Sequence, residues 1–158
     1  VDRAELFLDE LSRVYRYLLR NTEDQLIDLA SELQFIQSYF HLLRTRYVDS
    51  IVLQIDVDED YDTYLIPPLT LQLLVENAVK HNVIDKSRSL QISIQSTAHA
   101  TLRVCNNLQK KVNRIPSNKI GLANIDTRYR LLGYKGVDIV ETETAFTVEI
   151  PLLKTGMK

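Results

Sequence analysis

The sequence predicts an α/β fold in which two amphipathic helices precede an α/β sandwich with one mixed sheet and helices on one face. Up to residue 47, apolar residues recur at alternating steps of four and three, which is typical of helices that pack on helices. From residue 51 apolar and polar residues alternate, which indicates half-buried strands. With 158 residues, 45% of them hydrophobic, the chain can bury one sizeable core and carry an appendage.

The first part of the chain contains the two predicted helices. The apolar stripe of residues 2–20 consists of Ala4, Leu8, Leu11, Tyr15 and Leu18. The stripe of residues 29–47 consists of Leu29, Leu33, Ile36, Phe40, Leu43 and Tyr47, and Asp28 is a candidate N-cap. Such stripes suit either a helical-bundle dimer interface or packing onto the rest of the chain, and the sequence leaves both uses open. We assign residues 1–49 to a helical region and residues 50–158 to an α/β domain.

The second part alternates between predicted strands and helices. A strand is predicted at "IVLQIDV", and the prolines of "IPPL" precede a helix that begins near Leu69. The segments "LQISIQ" and "TLRVCN" are predicted strands joined by a short turn. Residues 107–119 lack periodicity and are predicted to form a mobile loop. A helix follows over residues 121–132, and "VDIVE" and "AFTVEI" close the sheet as a hairpin.

Charge and cysteine content argue against several classes of protein. A formal net charge of -2 offers no electrostatic basis for direct binding of nucleic acid. The single cysteine, Cys105, rules out an internal disulfide and indicates a reducing, cytoplasmic compartment. No apolar run approaches the roughly 18 residues that a membrane span requires. Because the chain begins without methionine and inside a helical pattern, we expect a longer parent protein whose upstream segments carry any membrane anchor.

An unusual set of polar residues lies on the predicted helix "LLVENAVKHN". On a helical wheel Glu76, Lys80, Asn77 and His81 form a contiguous arc. Glu76 and Lys80 are spaced i,i+4, as are Asn77 and His81, so the members of each pair can touch. A solvated helix face is the simpler interpretation. However, Asn and His are weak helix formers, and the four side chains together can hold a hydrated Mg²⁺ and its phosphates.

Three segments resemble one protein family. "IPPLTLQLLVENAVKHN" is similar to the N-box of LytS-like sensor histidine kinases, whose ATP-binding domain belongs to the GHKL (Bergerat) superfamily. "LSRVYRYLLR" and "LASELQFIQSYFHLLRTRY" resemble the end of the family's helical phosphoacceptor region. "IGLANIDTRYRLL" resembles its second glycine box, so the likeness covers essentially the whole chain.

The resemblance implies the ATP-binding catalytic part of a two-component sensor histidine kinase, with ATP and Mg²⁺ as cofactors. Such a kinase transfers the ATP γ-phosphate to a histidine and then to a response regulator, often of the LytTR type. It also implies a homodimer formed through the helical region and a cytoplasmic location within a bacterial inner-membrane protein.

The resemblance also assigns roles to individual residues. Asn77 is expected to bind Mg²⁺, and Glu76 is expected to be the second catalytic residue, within the polar network around metal and water. The residues expected to bind ATP or its phosphates are Lys80, His81, Asn106, Gly121, Leu122, Asn124, Arg128 and Thr144. Gly121 would supply free amide groups at a helix start, which favour anions. The basic residues expected either to line an ATP lid or to form a solvated loop are Lys110, Lys111, Arg114 and Lys119.

The chain departs from the family's pattern at three places. The family's first glycine box is DNGxG, whereas this chain has "NNLQK", so Asn106 replaces the Asp that accepts from adenine and both glycines are absent. An Asn oxygen still accepts a hydrogen bond, but without charge. Asn82 follows His81 where the family has Gly, and we expect it to tolerate left-handed backbone. Glu143 stands before Thr144 in place of another Gly. The alternative function is therefore a degenerate module that signals through protein contacts without nucleotide turnover.

The family's phosphoacceptor histidine belongs to a "PHFLFN"-like H-box, which this sequence lacks. His41 is in the second predicted helix and His99 is in a turn, and neither matches that box. We therefore expect that the chain does not phosphorylate itself and that the acceptor histidine lies upstream.

Overall fold

The computed structural model describes residues 2–20, 26–111 and 120–154. Within these residues the helices are α1 (Asp2–Arg20), α2 (Leu29–Tyr47), α3 (Thr70–His81) and α4 (Ile120–Leu131). The strands are β1 (Ile27–Asp28), β2 (Ile51–Asp56), β3 (Leu65–Ile66), β4 (Leu90–Ser96), β5 (Thr101–Asn107), β6 (Asp138–Glu141) and β7 (Ala145–Pro151). Short 3-10 turns lie at Val48–Ser50 and Glu59–Tyr61. The predicted helices and strands occur in the predicted order, β1 and β3 are short additional strands that pair with each other, and the α/β class is confirmed.

The main sheet has five strands in the order β2-β4-β5-β7-β6. β2 and β4 are parallel and the other neighbours are antiparallel, so the sheet is mixed, as predicted. On β4, Ile92 and Ile94 are buried, whereas Gln91 and Gln95 are exposed. Alternation with period two places these two pairs on opposite faces. One face therefore packs beneath helices, and the other is open along this strand.

α2 packs into the same hydrophobic core as the sheet. Leu29, Ile36 and Phe40 are buried, and the rest of the predicted stripe packs against this core. Asp28 caps the helix as predicted, because its carboxylate accepts from the Ser31 backbone N–H at 2.9 Å. The stripe of α2 thus serves packing onto the chain itself, one of the two uses that the sequence left open. The division between residues 49 and 50 stays a prediction.

α1 contacts α2 but leaves much of its own apolar stripe uncovered. Leu8 is 59% exposed and Leu11 is 41% exposed. The side chains of Tyr15 and Leu18 lie outside the described part of the chain. Across the described residues, no helix combines the length and the apolar character that crossing a membrane requires.

A tight turn directly precedes α3. The helix begins at Thr70, because Leu69 adopts a left-handed backbone with φ 66° and serves as the N-cap. The Thr70 hydroxyl donates to the Pro67 carbonyl at 2.7 Å. This bond fixes the turn just before the residues that the sequence marks as functional.

The predicted mobile loop begins later than residue 107. Asn107 is the last residue of β5, where it pairs with Ala145 of β7. Gln109 is then held against the end of α3, since its N–H donates to Asn82 Oδ1 at 2.8 Å and its carbonyl accepts from Val83 N–H at 2.7 Å. Residues 112–119 of the predicted loop lie outside the described residues.

Candidate functional site

The predicted polar arc lies on the outer side of α3. The inner side of this helix is buried and consists of Leu71, Leu74, Val75 and Ala78. Glu76 and Lys80 are exposed, and Asn77 and His81 are half-buried. The core therefore fixes the direction of α3 and leaves all four polar side chains accessible from one side.

The Glu76 carboxylate is held by two donors. The Tyr39 hydroxyl of α2 and the Gln72 side-chain amide each donate to Glu76 Oε1 at 3.1 Å. Among the described residues Glu76 forms no ion pair with Lys80, so the contact that their spacing allowed is not made. Burial of the ring and, second, the Glu76 carboxylate raise the pKa of the Tyr39 hydroxyl, which keeps it protonated as a donor.

The Asn77 side chain suits a metal that is held mainly by phosphates. Its amide makes no hydrogen bond to any described residue, although it is half-buried. Mg²⁺ typically takes only one or two side-chain oxygens and completes its shell with water and phosphate. Within the described ranges no group of three or more His, Cys, Asp and Glu side chains could hold a metal by itself. The Asn77 amide and the Glu76 carboxylate are therefore a donor set that fits Mg²⁺ bound together with a nucleotide.

Two lysines, Lys80 and Lys111, lie near His81 at the carboxyl end of α3. Desolvation and, next, the ammonium groups of Lys80 and Lys111 lower the pKa of His81. The Lys111 backbone N–H also reaches the His81 carbonyl at 3.5 Å. Lys110 points elsewhere and pairs with Glu141 of β6. One lysine of the predicted lid is therefore paired with Glu141, while Lys111 lies close to the helix end together with Lys80.

Asn82 connects α3 to the segment after β5. Its backbone is extended, with φ -119° and ψ 149°, so the tolerance of Asn for left-handed backbone is not used at this position. The side chain is 2% exposed. Its Nδ2 donates to the Ala78 carbonyl at 2.8 Å, and its Oδ1 accepts from Gln109 N–H. Asn82 thus contributes through its amide, which joins the end of α3 to the segment after β5. A left-handed backbone, which would explain a glycine, is not present at this residue.

Asn106 and Thr144 lie near the same end of the sheet. Asn106 pairs with Ile92 and Phe146 in the strand register and is 6% exposed. Its Nδ2 donates to the Asn107 carbonyl at 2.9 Å. The Thr144 carbonyl, in the β6–β7 turn, accepts from Leu108 N–H at 2.9 Å. The segment that replaces the first glycine box is therefore anchored to the turn that contains Thr144.

The α4 residues are directed to different partners. The Arg128 guanidinium donates to the Pro68 carbonyl at 3.0 Å, in the turn before α3. Leu122 packs against the core and Asn124 is exposed. A Cβ added to Gly121 would meet no described atom within 4 Å, so packing does not require glycine there. The nucleotide roles of these residues remain predictions, and Arg128 already has a structural partner.

Sequence reasoning missed several residues that shape this site. Gln72 lies one turn before Glu76, so i,i+4 spacing could have identified it. Asn82 was noted only for its backbone. No sequence pattern links Tyr39 to Glu76, since Tyr39 lies 37 residues earlier and belongs to another helix.

This chain is similar to known proteins in both sequence and fold. The family described as histidine kinase matches residues 1–51. The sensor histidine kinase YpdA of Escherichia coli (strain K12) is 31% identical over 98% of this chain and 30% of its own length. The sensor histidine kinase/phosphatase LytS of Staphylococcus aureus (strain MRSA252) is 30% identical over 68% of this chain and 19% of its own. The chain thus spans less than a third of the length of either relative.

Solved histidine kinase structures have the same fold. The cytoplasmic segment of histidine kinase QseC superposes with a TM-score of 0.56 at 19% identity, covering 97% of this chain and 94% of that one. The histidine kinase domain of the Erythrobacter litoralis EL346 blue-light activated kinase gives 0.53 at 18% identity, covering 96% of this chain and 76% of that one. At such identities the likeness concerns the fold, and the sequence relatives identify the family. The chain belongs to the LytS-like sensor histidine kinases.

Proposed function

We propose that this chain is the ATP-binding catalytic part of a two-component sensor histidine kinase. It would position ATP so that the γ-phosphate passes to a histidine outside these 158 residues and from there to a response regulator. The proposal rests on the arrangement of side chains on the outer side of α3. There Asn77 has no partner among the described residues, Glu76 is held in place, and Lys80 and Lys111 flank His81.

Phosphoryl transfer requires positioning and charge neutralisation more than covalent chemistry by the protein. Mg²⁺, when bound, would neutralise phosphate charge beside the Asn77 amide oxygen. Glu76 would order water next to it, because Tyr39 and Gln72 hold its carboxylate. Lys80 and His81 would face the phosphates.

The remaining contacts would be made around this centre. The Asn106 amide would accept from the adenine amino group without the charge of an Asp. Amide groups at the start of α4, near Gly121 and Leu122, would face an anion. The other residues proposed to contact the nucleotide are Asn124, Arg128 and Thr144.

The family membership supports further proposals about partners and location. The chain would dimerise through its helical region and act on a response regulator, which we expect to be of the LytTR type. It would make no direct contact with nucleic acid. It would lie on the cytoplasmic side of a bacterial inner membrane and would be attached only through segments outside this sequence.

One observation favours the alternative of a degenerate module that signals through protein contacts. The Asn106 amide is engaged with the Asn107 carbonyl, and the two glycines of the family's box are Leu108 and Lys110 here. The two larger side chains leave less room for adenine, and only Oδ1 of the Asn106 amide remains free to contact it.

Calorimetric titration with ATP separates the two functions. We expect the chain to bind ATP in Mg²⁺ and to lose most of this affinity in EDTA. Asn77→Ala should abolish the Mg²⁺-dependent part while the urea unfolding midpoint stays unchanged, because the Asn77 side chain has no described partner. Gln95→Ala, an exposed amide on the opposite face of the sheet, is the control and should bind as wild type does. Absence of binding up to millimolar ATP would contradict the kinase proposal and favour the degenerate module.

A further inference from the structure

α2 makes polar contacts with α3 at two points. Glu32 is 0% exposed, and its Oε1 accepts from Leu71 N–H in the first turn of α3 at 3.2 Å. Tyr39, seven residues later on α2, donates to Glu76. Residues seven apart lie on nearly the same side of a helix. The two contacts flank Phe35 and Ile36, which are buried. α2 therefore holds α3 at its start and again beside the polar arc.

The Tyr39 ring is fixed by packing. It is half-buried against the hydrophobic core. The Phe35 ring lies nearly parallel to it, with centroids 6.4 Å apart and an interplanar angle of 21°. The Tyr39 hydroxyl that contacts α3 therefore belongs to a side chain whose ring is held in place by packing.

An exposed glutamate on a helix usually samples several rotamers, but the Glu76 carboxylate has two donors. Both donors use Oε1. Oε2 accepts no hydrogen bond from any described residue, so this second oxygen is available to water and metal beside Asn77.

We propose that Tyr39 is a positioning residue for Glu76, so that α2 contributes to the Mg·ATP site without touching the nucleotide. The inference rests on the proposed function of α3. Loss of the Tyr39 hydroxyl leaves Gln72 as the only described donor to Glu76, and the carboxylate then spends less time in the orientation that serves the site.

The test measures Mg·ATP affinity by calorimetry for the whole chain. Tyr39→Phe keeps the ring and removes the hydroxyl, and we expect about fivefold weaker binding in Mg²⁺, which corresponds to one hydrogen bond. Binding in EDTA should stay unchanged. Tyr61→Phe is the matched control, because that hydroxyl also makes one hydrogen bond, to the Thr97 carbonyl at 3.0 Å. It should bind Mg·ATP as wild type does.

A double variant distinguishes positioning from a general loss of stability. If Tyr39 acts through Glu76, Tyr39→Phe combined with Glu76→Ala, which removes the acceptor, should bind no more weakly than Glu76→Ala alone. Additive losses, or equal losses with Mg²⁺ and with EDTA, would overturn the inference. Wild-type affinity in Tyr39→Phe would overturn it as well and leave the proposed function standing. If the wild-type chain itself bound no Mg·ATP, the proposed function would fail and the inference with it.

Discussion

Two asparagines near the carboxyl end of α3, Asn77 within the helix and Asn82 directly after it, serve different purposes. The Asn82 amide is buried and makes a hydrogen bond on each side, to Ala78 and Gln109. The Asn77 amide is half-buried and makes none with the described residues. Because buried polar groups in native proteins are almost always hydrogen-bonded, Asn82 is explained by structure alone. Asn77 is not, and it is the better candidate for binding a ligand.

Asn82→Ala should lower the free energy of unfolding by about 1–3 kcal/mol, because it leaves the Gln109 N–H without its acceptor. Urea denaturation followed by circular dichroism measures this loss. Asn124→Ala is the control, since that side chain is exposed and should change stability by less than about 0.5 kcal/mol. Equal losses in the two variants would show that the Asn82 bridge contributes nothing specific.

The connection from α4 to β6 is held by one carboxylate. Asp126 Oδ1 accepts from Val137 N–H at 2.9 Å, and Oδ2 accepts from Arg130 Nε at 2.6 Å. The hydrogen bond from Arg130 and then that from Val137 lower the pKa of Asp126. Gly136 fits between these groups with φ 102°, a left-handed value that favours glycine. The carboxylate therefore determines where β6 begins relative to α4.

Gly136→Ala should destabilise the chain by about 1–3 kcal/mol, through its positive φ and through collision with Asp126. The added Cβ would lie 2.1 Å from Asp126 Oδ1 and 3.2 Å from Arg130 Nε. Thermal unfolding measures the effect. The matched control is Gly121→Ala in α4, where no described atom lies within 4 Å of the added Cβ. It should be neutral or stabilising by up to about 1 kcal/mol, since Ala is the better helix former. A neutral Gly136→Ala would mean that the connection rearranges freely.

The two N-terminal helices differ in how their apolar stripes are used. α2 buries its stripe in the core, whereas Leu8 and Leu11 of α1 remain exposed. An apolar stripe that its own chain does not cover is typical of an interaction surface. The proposed homodimer would therefore use α1, with α2 as the support that joins α1 to the domain.

Leu8→Glu together with Leu11→Glu should weaken self-association by about 100-fold or more, because burial of each leucine contributes roughly 1.5–3 kcal/mol. Sedimentation equilibrium of the wild-type and variant chains measures the dissociation constant. Val52→Glu is the control, because that residue is also exposed and apolar but belongs to β2. A wild-type chain that stays monomeric at all accessible concentrations would contradict a dimer through this region.

Much of this architecture could be predicted, because the information is local. The period of apolar residues identified α1 and α2, and alternation identified β4, β5 and the β6–β7 hairpin. The N-box wording identified the family and marked Asn77 and Glu76, and helical geometry then placed them on one side of α3. The departures at Asn106 and Asn82 were also visible in the sequence, although the purpose of Asn82 was not.

The order of the main elements, the family and the residues of the polar arc can all be read from the amino-acid sequence, since each depends on neighbouring residues. The use of the α2 stripe depends on tertiary packing, which buries it in the core. The same is true of the ion pair between Lys110 and Glu141 and of the hydrogen bond from Arg128 to the turn before α3. Tertiary packing alone brings Tyr39 to Glu76, Glu32 to Leu71 and Asn82 to Gln109, across 37, 39 and 27 residues of sequence. Such contacts follow from how the helices pack on the sheet, and no local periodicity encodes them.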